Sequence, residues 1–157
     1  MIETRRLSIR PPAPAERAEM LALWSDPANE RVEEDATPEQ IRAWAEGVPW
    51  GVWESATGEL VGDCSLHFEE QYGEWELSYG FRRDRWGLGY ATEAAGACVR
   101  HGFDARGLAK IVADVDPANT ASVHVLEKCG FERVGELDDG RFFYELTAEP
   151  SGVDTAS

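Results

Sequence analysis

The residues best placed to do chemistry form the run Arg85-Trp-Gly-Leu-Gly-Tyr-Ala-Thr92, where two glycines separate a β-like segment from an Ala-rich one. Glycine lets backbone amides approach a ligand closely, and the N–H groups and dipole of a helix start attract phosphate. A pyrophosphate is the group such a turn suits, although a pair of glycines also makes ordinary turns. Two familiar phosphate loops fit badly. The dinucleotide fingerprint wants a third Gly where Thr92 stands, and the triphosphate loop wants Gly-Lys-Ser/Thr, which is absent.

The elements around this turn follow from patterning. Residues 75–81 alternate, with Trp75, Leu77, Tyr79 and Phe81 on one face and Glu76 and Ser78 on the other. Residues 91–103 are Ala-rich and close on Arg106-Gly107, which predicts a helix. Upstream, 7–10 reads as a short strand ended by Pro11-Pro12, and 15–24 as a helix stopped near Asp26-Pro27. Thr37-Pro-Glu-Gln40 resembles a capping box ahead of Ile41, Trp44 and Ala45, predicting a second helix that ends near Gly47. Residues 50–54 and 60–68 form a hairpin across Thr57-Gly58. Downstream come a buried strand at 111–115, a helix at 119–128 ended by Gly130, and a hairpin of 131–137 with 141–146 across Asp138-Asp-Gly140. This order predicts an α/β (α+β) chain built on a central mixed sheet of six to seven strands, with about four helices on both faces.

Composition narrows the function classes. A chain of 157 residues with six Trp and six Phe can bury one core, so residues 1–148 are expected to form a single domain and 149–157 a loose tail. No apolar run is long enough to span a bilayer or serve as a signal peptide, so the chain reads as cytoplasmic. Cys64, Cys98 and Cys129 lack CxxC pairing, and His67, His101 and His124 are scattered, so no metal is expected. A net charge of −15 disfavours nucleic acid and anionic membrane as partners and suits a cation.

Four segments in order resemble the GCN5-related N-acetyltransferase (GNAT) family, in particular the branch similar to ribosomal-protein alanine and serine N-acetyltransferases. They are Thr4-Arg-Arg-Leu-Ser-Ile-Arg-Pro11, Gly58-Glu-Leu-Val-Gly62, Trp86-Gly-Leu-Gly-Tyr-Ala-Thr-Glu-Ala94, and Asn119-Thr-Ala-Ser122 running into Leu126-Glu-Lys-Cys-Gly-Phe131. The resemblance implies the GNAT fold and acetyl-coenzyme A as acetyl donor. The family pattern Gln/Arg-x-x-Gly-x-Gly/Ala falls on Trp86-Gly-Leu-Gly-Tyr-Ala91, with Trp86 in the Gln or Arg place. It implies donor contacts along Trp86, Gly87, Leu88, Gly89, Tyr90, Ala91 and Thr92, with Arg85 a further charge partner. The pantetheine arm is implied to pair with backbone at Phe81, Arg82 and Arg83, and Asn119 to meet the pantetheine or an inner water. Asn119 equally suits a helix N-cap.

For transfer to an amine, one group must take a proton and another give one. The resemblance implies Glu76 as base, with Asp114 as second choice. It often places Tyr or Ser seven residues after the Asn as acid, where this chain has Leu126, so Ser122 or a water would substitute. The acceptor, a peptide N-terminus or a small amine such as an aminoglycoside or polyamine, would meet Trp24, Trp44, Trp50, Trp53, His67, Phe68 and Tyr72, with acidic residues of 30–35 and Glu69-Glu70 at the entrance. Homodimers occur in this branch. The alternative is an acyl-coenzyme A sensor without turnover.

Overall fold

The computed structural model describes residues 1–25 and 50–148. The strands are β1 (Ile2–Glu3), β2 (Leu7–Arg10), β3 (Trp50–Glu54), β4 (Leu60–Glu69), β5 (Glu74–Phe81), β6 (Lys110–Val115), β7 (Glu132–Glu136) and β8 (Phe142–Thr147). The α-helices among the described residues are α1 (Pro14–Ser25), α2 (Tyr90–Asp104) and α3 (Thr120–Lys128), and a short 3-10 turn spans Arg83–Arg85. The eight strands form one sheet in the order β1-β2-β3-β4-β5-β6-β8-β7. The six or seven strands expected become eight because Ile2–Glu3 adds a two-residue edge strand on β2. It is too short for alternation to show in the sequence. The predicted helix over 37–47 and the tail at 149–157 lie outside the described residues.

Alternation along β3 and β4 divides the molecule into layers. Val52 and Val61 point into the larger core, shared with Ala94, Ala95 and Cys98 of α2 and Leu126 of α3. Their neighbours Trp53 and Leu60 point the other way, against Met20 of α1. The sheet therefore carries α2 and α3 on one face and α1 on the other. On the first side α2 comes very close: a Cβ at Gly102 would lie 2.6 Å from Leu66 Cδ1.

Among the described strands β5 and β6 are the one parallel pair, and they are joined only at Trp75 with Ile111 and Glu76 with Val112. β5 continues to Phe81 and β6 to Val115, where β6 keeps only its other edge paired, with β8. The two strands thus part beyond Glu76, leaving a wedge that opens toward the Gly-rich turn and the start of α3. An inner edge of unpaired backbone can accept an extended ligand as if it were another strand.

Candidate active site

The Gly-rich turn is held from both sides. On one side Glu54, at the end of β3, accepts a hydrogen bond from Tyr90 Oη at 2.5 Å and lies 3.4 Å from Arg85 Nε. The Tyr90 hydroxyl and then Thr57 hold the Glu54 carboxyl below its ordinary range. On the other side Glu93 accepts from Thr4 Oγ1 at 2.6 Å, from the Arg6 amide at 2.9 Å and from Arg6 Nε at 2.7 Å. Burial alone would raise the Glu93 pKa, but these donors hold it down. The loop between is built by φ values of +80° at Gly87 and +81° at Gly89, which side-chain-bearing residues adopt only with strain.

Gly89 is the N-cap of α2, and no side chain caps that helix. The N–H groups of Tyr90, Ala91 and Thr92 therefore have no acceptor within the helix, and they point out of its positive end. The Arg6 guanidinium lies 4.6 Å above the Tyr90 ring and would stand 3.4 Å from a Cβ on Gly89. Arg82, Arg83 and Arg85 flank the loop, with Glu54, Glu59 and Asp84 set among them. Uncapped amides and αL glycines fit the pyrophosphate of a coenzyme A. Leu88 and Trp86 are exposed at the rim.

The arginines differ in how they are committed. Arg85, expected as a charge partner, is held by Glu54, Glu59 and Asp84. Arg82 pairs with Asp84 at 2.8 Å, and its amide donates to Val61 O across to β4. Arg83 lies 5.5 Å from the Trp86 ring. Trp86 in turn donates its indole N–H to Phe81 O at 2.9 Å. That carbonyl lies on the wedge side of β5, so Trp86, in the family's Gln or Arg place, ties the loop to the strand end. Sequence reasoning overlooked Arg6, because its approach to the loop depends on β2 lying beside α2.

The second group of residues lies on the α1 face of the sheet. Glu76 on β5 pairs in register with His67 on β4, and the His67 Nε2 to Glu76 Oε1 distance is 3.6 Å. Glu69 Oε2 lies 3.9 Å from the same nitrogen. Burial pushes the His67 pKa down, although Glu69 and Asp114 oppose this, so the imidazole is held neutral. Asp114 lies on the same face, two residues beyond Val112, the partner of Glu76. Its carboxylate accepts from Tyr72 Oη at 2.7 Å and from Arg141 Nε at 2.8 Å. Burial and then the Asp114 hydrogen bond raise the Tyr72 pKa. Asp114 thus clasps two side chains, whereas Glu76 faces an imidazole beside the closed end of the wedge.

Ser122 lies near the start of α3, and its Oγ is 2.7 Å from Tyr79 Oη on β5. The Asn119 side-chain oxygen caps α3 by accepting from the Ser122 amide at 3.1 Å. Leu126, one turn further along α3, is buried in the core. The phenol nearest the wedge is therefore Tyr79, which alternation alone would assign to the core.

Of the expected acceptor contacts, the structure brings His67 and Tyr72 to the carboxylates. Phe68 and Trp50 point to the other face of the sheet, because Phe68 is the strand neighbour of His67 and Trp50 is in register with Cys64. Trp53 packs under α1. The side chain of Trp24, Trp44 and the acidic run 30–35 lie outside what the structure describes.

Known proteins share this fold. The Acetyltransferase (GNAT) domain family matches residues 6–132. The protein YkkB of Bacillus subtilis is 42% identical over 83 residues, 52% of this chain and 48% of its own length. An FsC-acetyl coenzyme A-N(2)-transacetylase of Aspergillus fumigatus is 32% identical over 129 residues, 73% of this chain and 53% of its own. The chain thus spans about half the length of the curated relatives it matches. A crystal structure of a GNAT-family acetyltransferase from Bacillus anthracis superposes with a TM-score of 0.78 at 25% identity, covering 93% of this chain and 97% of that one. With a family match over most of the chain, a parted β5/β6 pair and an uncapped glycine turn at the start of α2, the chain belongs to the GNAT acetyltransferase family.

Proposed function

We propose that this chain transfers an acetyl group from acetyl-coenzyme A directly to an amine, within a single domain over residues 1–148. The observation that carries the reading is the wedge between β5 and β6, which joins the uncapped turn at Gly89 to Glu76. Acetyl-coenzyme A supplies a thioester, an activated acyl group with a thiol leaving group. The chain's own residues bind and move protons around it. Amides of Tyr90, Ala91 and Thr92, with Arg6 nearby, hold the pyrophosphate. The wedge-side backbone edge of β5, ending at the Phe81 carbonyl that Trp86 holds, positions the arm.

Glu76 is the base. Its carboxylate is at the closed end of the wedge and next to a neutral imidazole, which can accept a proton and pass it outward. Asp114 is held by Tyr72 and Arg141 and serves to fix that floor. The Tyr79 and Ser122 hydroxyls hold a proton at the wedge wall where Leu126 offers none. Glu69, Glu76 and Asp114 on one face favour a cationic acceptor, either a peptide N-terminus or a small amine.

The test is thiol release from acetyl-coenzyme A across a panel of peptides, polyamines and aminoglycosides. Turnover with one amine class is expected. Glu76→Gln should lower kcat about a hundredfold or more while acetyl-coenzyme A still binds. A full rate in that variant would remove Glu76 as base. Tight donor binding without turnover on any amine would favour the sensor reading.

A further inference from the structure

His67, Glu69 and Glu76 carry a property that acetyl transfer does not use. One imidazole nitrogen of His67 and one carboxylate oxygen from each glutamate all lie within 4.8 Å of one another. His67 Nε2 lies 3.6 Å from Glu76 Oε1 and 3.9 Å from Glu69 Oε2. Ligands about 2.1 Å from a tetrahedral zinc ion stand about 3.4 Å apart, so closure needs only small rotamer adjustments. The scaffold is rigid. His67 and Glu69 are two residues apart on β4 and share a face, and Glu76 faces His67 across the β4–β5 ladder. The donors are mixed, one imidazole and two carboxylates, which separates this group from a simple acidic patch and selects a borderline transition ion over Mg2+ or Ca2+.

We propose that His67, Glu69 and Glu76 form a binding site for one divalent transition-metal ion of the zinc type, open to solvent at its remaining coordination position. Two carboxylates and a neutral ligand leave a charge of −2 to meet a dication. The overall charge of −15 raises the local concentration of such ions. An ion held there occupies Glu76, and zinc would thereby inhibit the proposed transfer. Binding itself stands apart from that reading, since it is measured without donor or acceptor.

The experiment is calorimetric titration of the chelator-stripped full chain with Zn2+, with Co2+ absorption as a second probe. One Zn2+ per chain and a visible Co2+ ligand-field band are expected. Affinity should fall at least about tenfold in His67→Gln and also fall in Glu69→Gln, whose site lies at the strand end and is tolerant of change. Circular dichroism and thermal midpoints confirm that each variant folds; if His67→Gln does not, Glu69→Gln decides alone. Millimolar Mg2+ should not compete. No binding tighter than about millimolar, or unchanged zinc affinity in the folded variants, would overturn the proposal.

Discussion

At the level of single residues, two carboxylates of one face have been given different work by their neighbours. Asp114 accepts from Tyr72 and is paired with Arg141 at 2.7 Å, whereas Glu76 sits 3.6 Å from a neutral imidazole. Asn at 114 keeps one acceptor oxygen but loses the charge that pairs with the Arg141 guanidinium and the second oxygen that the two donors share. Asp114→Asn should therefore lower stability by about 1–3 kcal/mol in denaturant unfolding while the acidic limb of the pH–rate profile, which reports the base, stays in place. Loss of that limb with unchanged stability would instead make Asp114 the base. Glu76 was legible in the sequence because period-two alternation separates it from Trp75 and Leu77. The Tyr79–Ser122 couple was not legible, because the residues are 43 positions apart and meet only through the β5–α2–β6–α3 crossover.

Among the elements, the N-terminal segment does more than begin the sheet. Thr4 and Arg6 lock Glu93 in the first turn of α2, and Arg10 locks Glu16 in the first turn of α1. Glu16 also accepts from the Ala13 amide at 2.9 Å, the reciprocal half of a capping box. The Arg10 hydrogen bonds hold its carboxyl at about 2, below an ordinary value of 4.5. Because the folded pKa is the lower one, this lock stabilises fully above about pH 4.5 and fades as pH falls through about 2. Thermal midpoints measured from pH 5 downward should drop more steeply in the parent chain than in Glu16→Gln; parallel curves would show that the lock contributes nothing. Most elements were legible, since Gly130, Asp138-Asp-Gly140 and the Ala run each carry their own signal. β1 was not, because two residues paired at a sheet edge have no periodicity. The metal-like cluster escaped for a related reason: cysteine and histidine spacing was the cue, whereas the signal is His-x-Glu on one strand facing Glu on the next.

For the whole molecule, charge is distributed unevenly. Thirty acidic residues outnumber fifteen basic ones, yet arginines ring the Gly-rich turn while Glu69, Glu76 and Asp114 share the opposite, α1-facing side. The uncapped start of α2 suits an anionic donor and the acidic face a cationic acceptor, at different places. With a polyamine or other cationic acceptor, kcat/KM should fall as ionic strength rises from about 0.01 to 0.3 M, because screening shortens the reach of these fields. A rate independent of salt would argue that the acceptor is recognised by its apolar part. Acceptor identity was not legible, since it depends on loops and on the helix predicted at 37–47.

The reading depends most on the wedge and the uncapped turn binding coenzyme A. The direct measurement is calorimetric titration of the chain with acetyl-coenzyme A at low salt. One molecule per chain with a Kd of about micromolar is expected, whereas no heat of binding up to about millimolar donor would contradict both the transferase and the sensor readings.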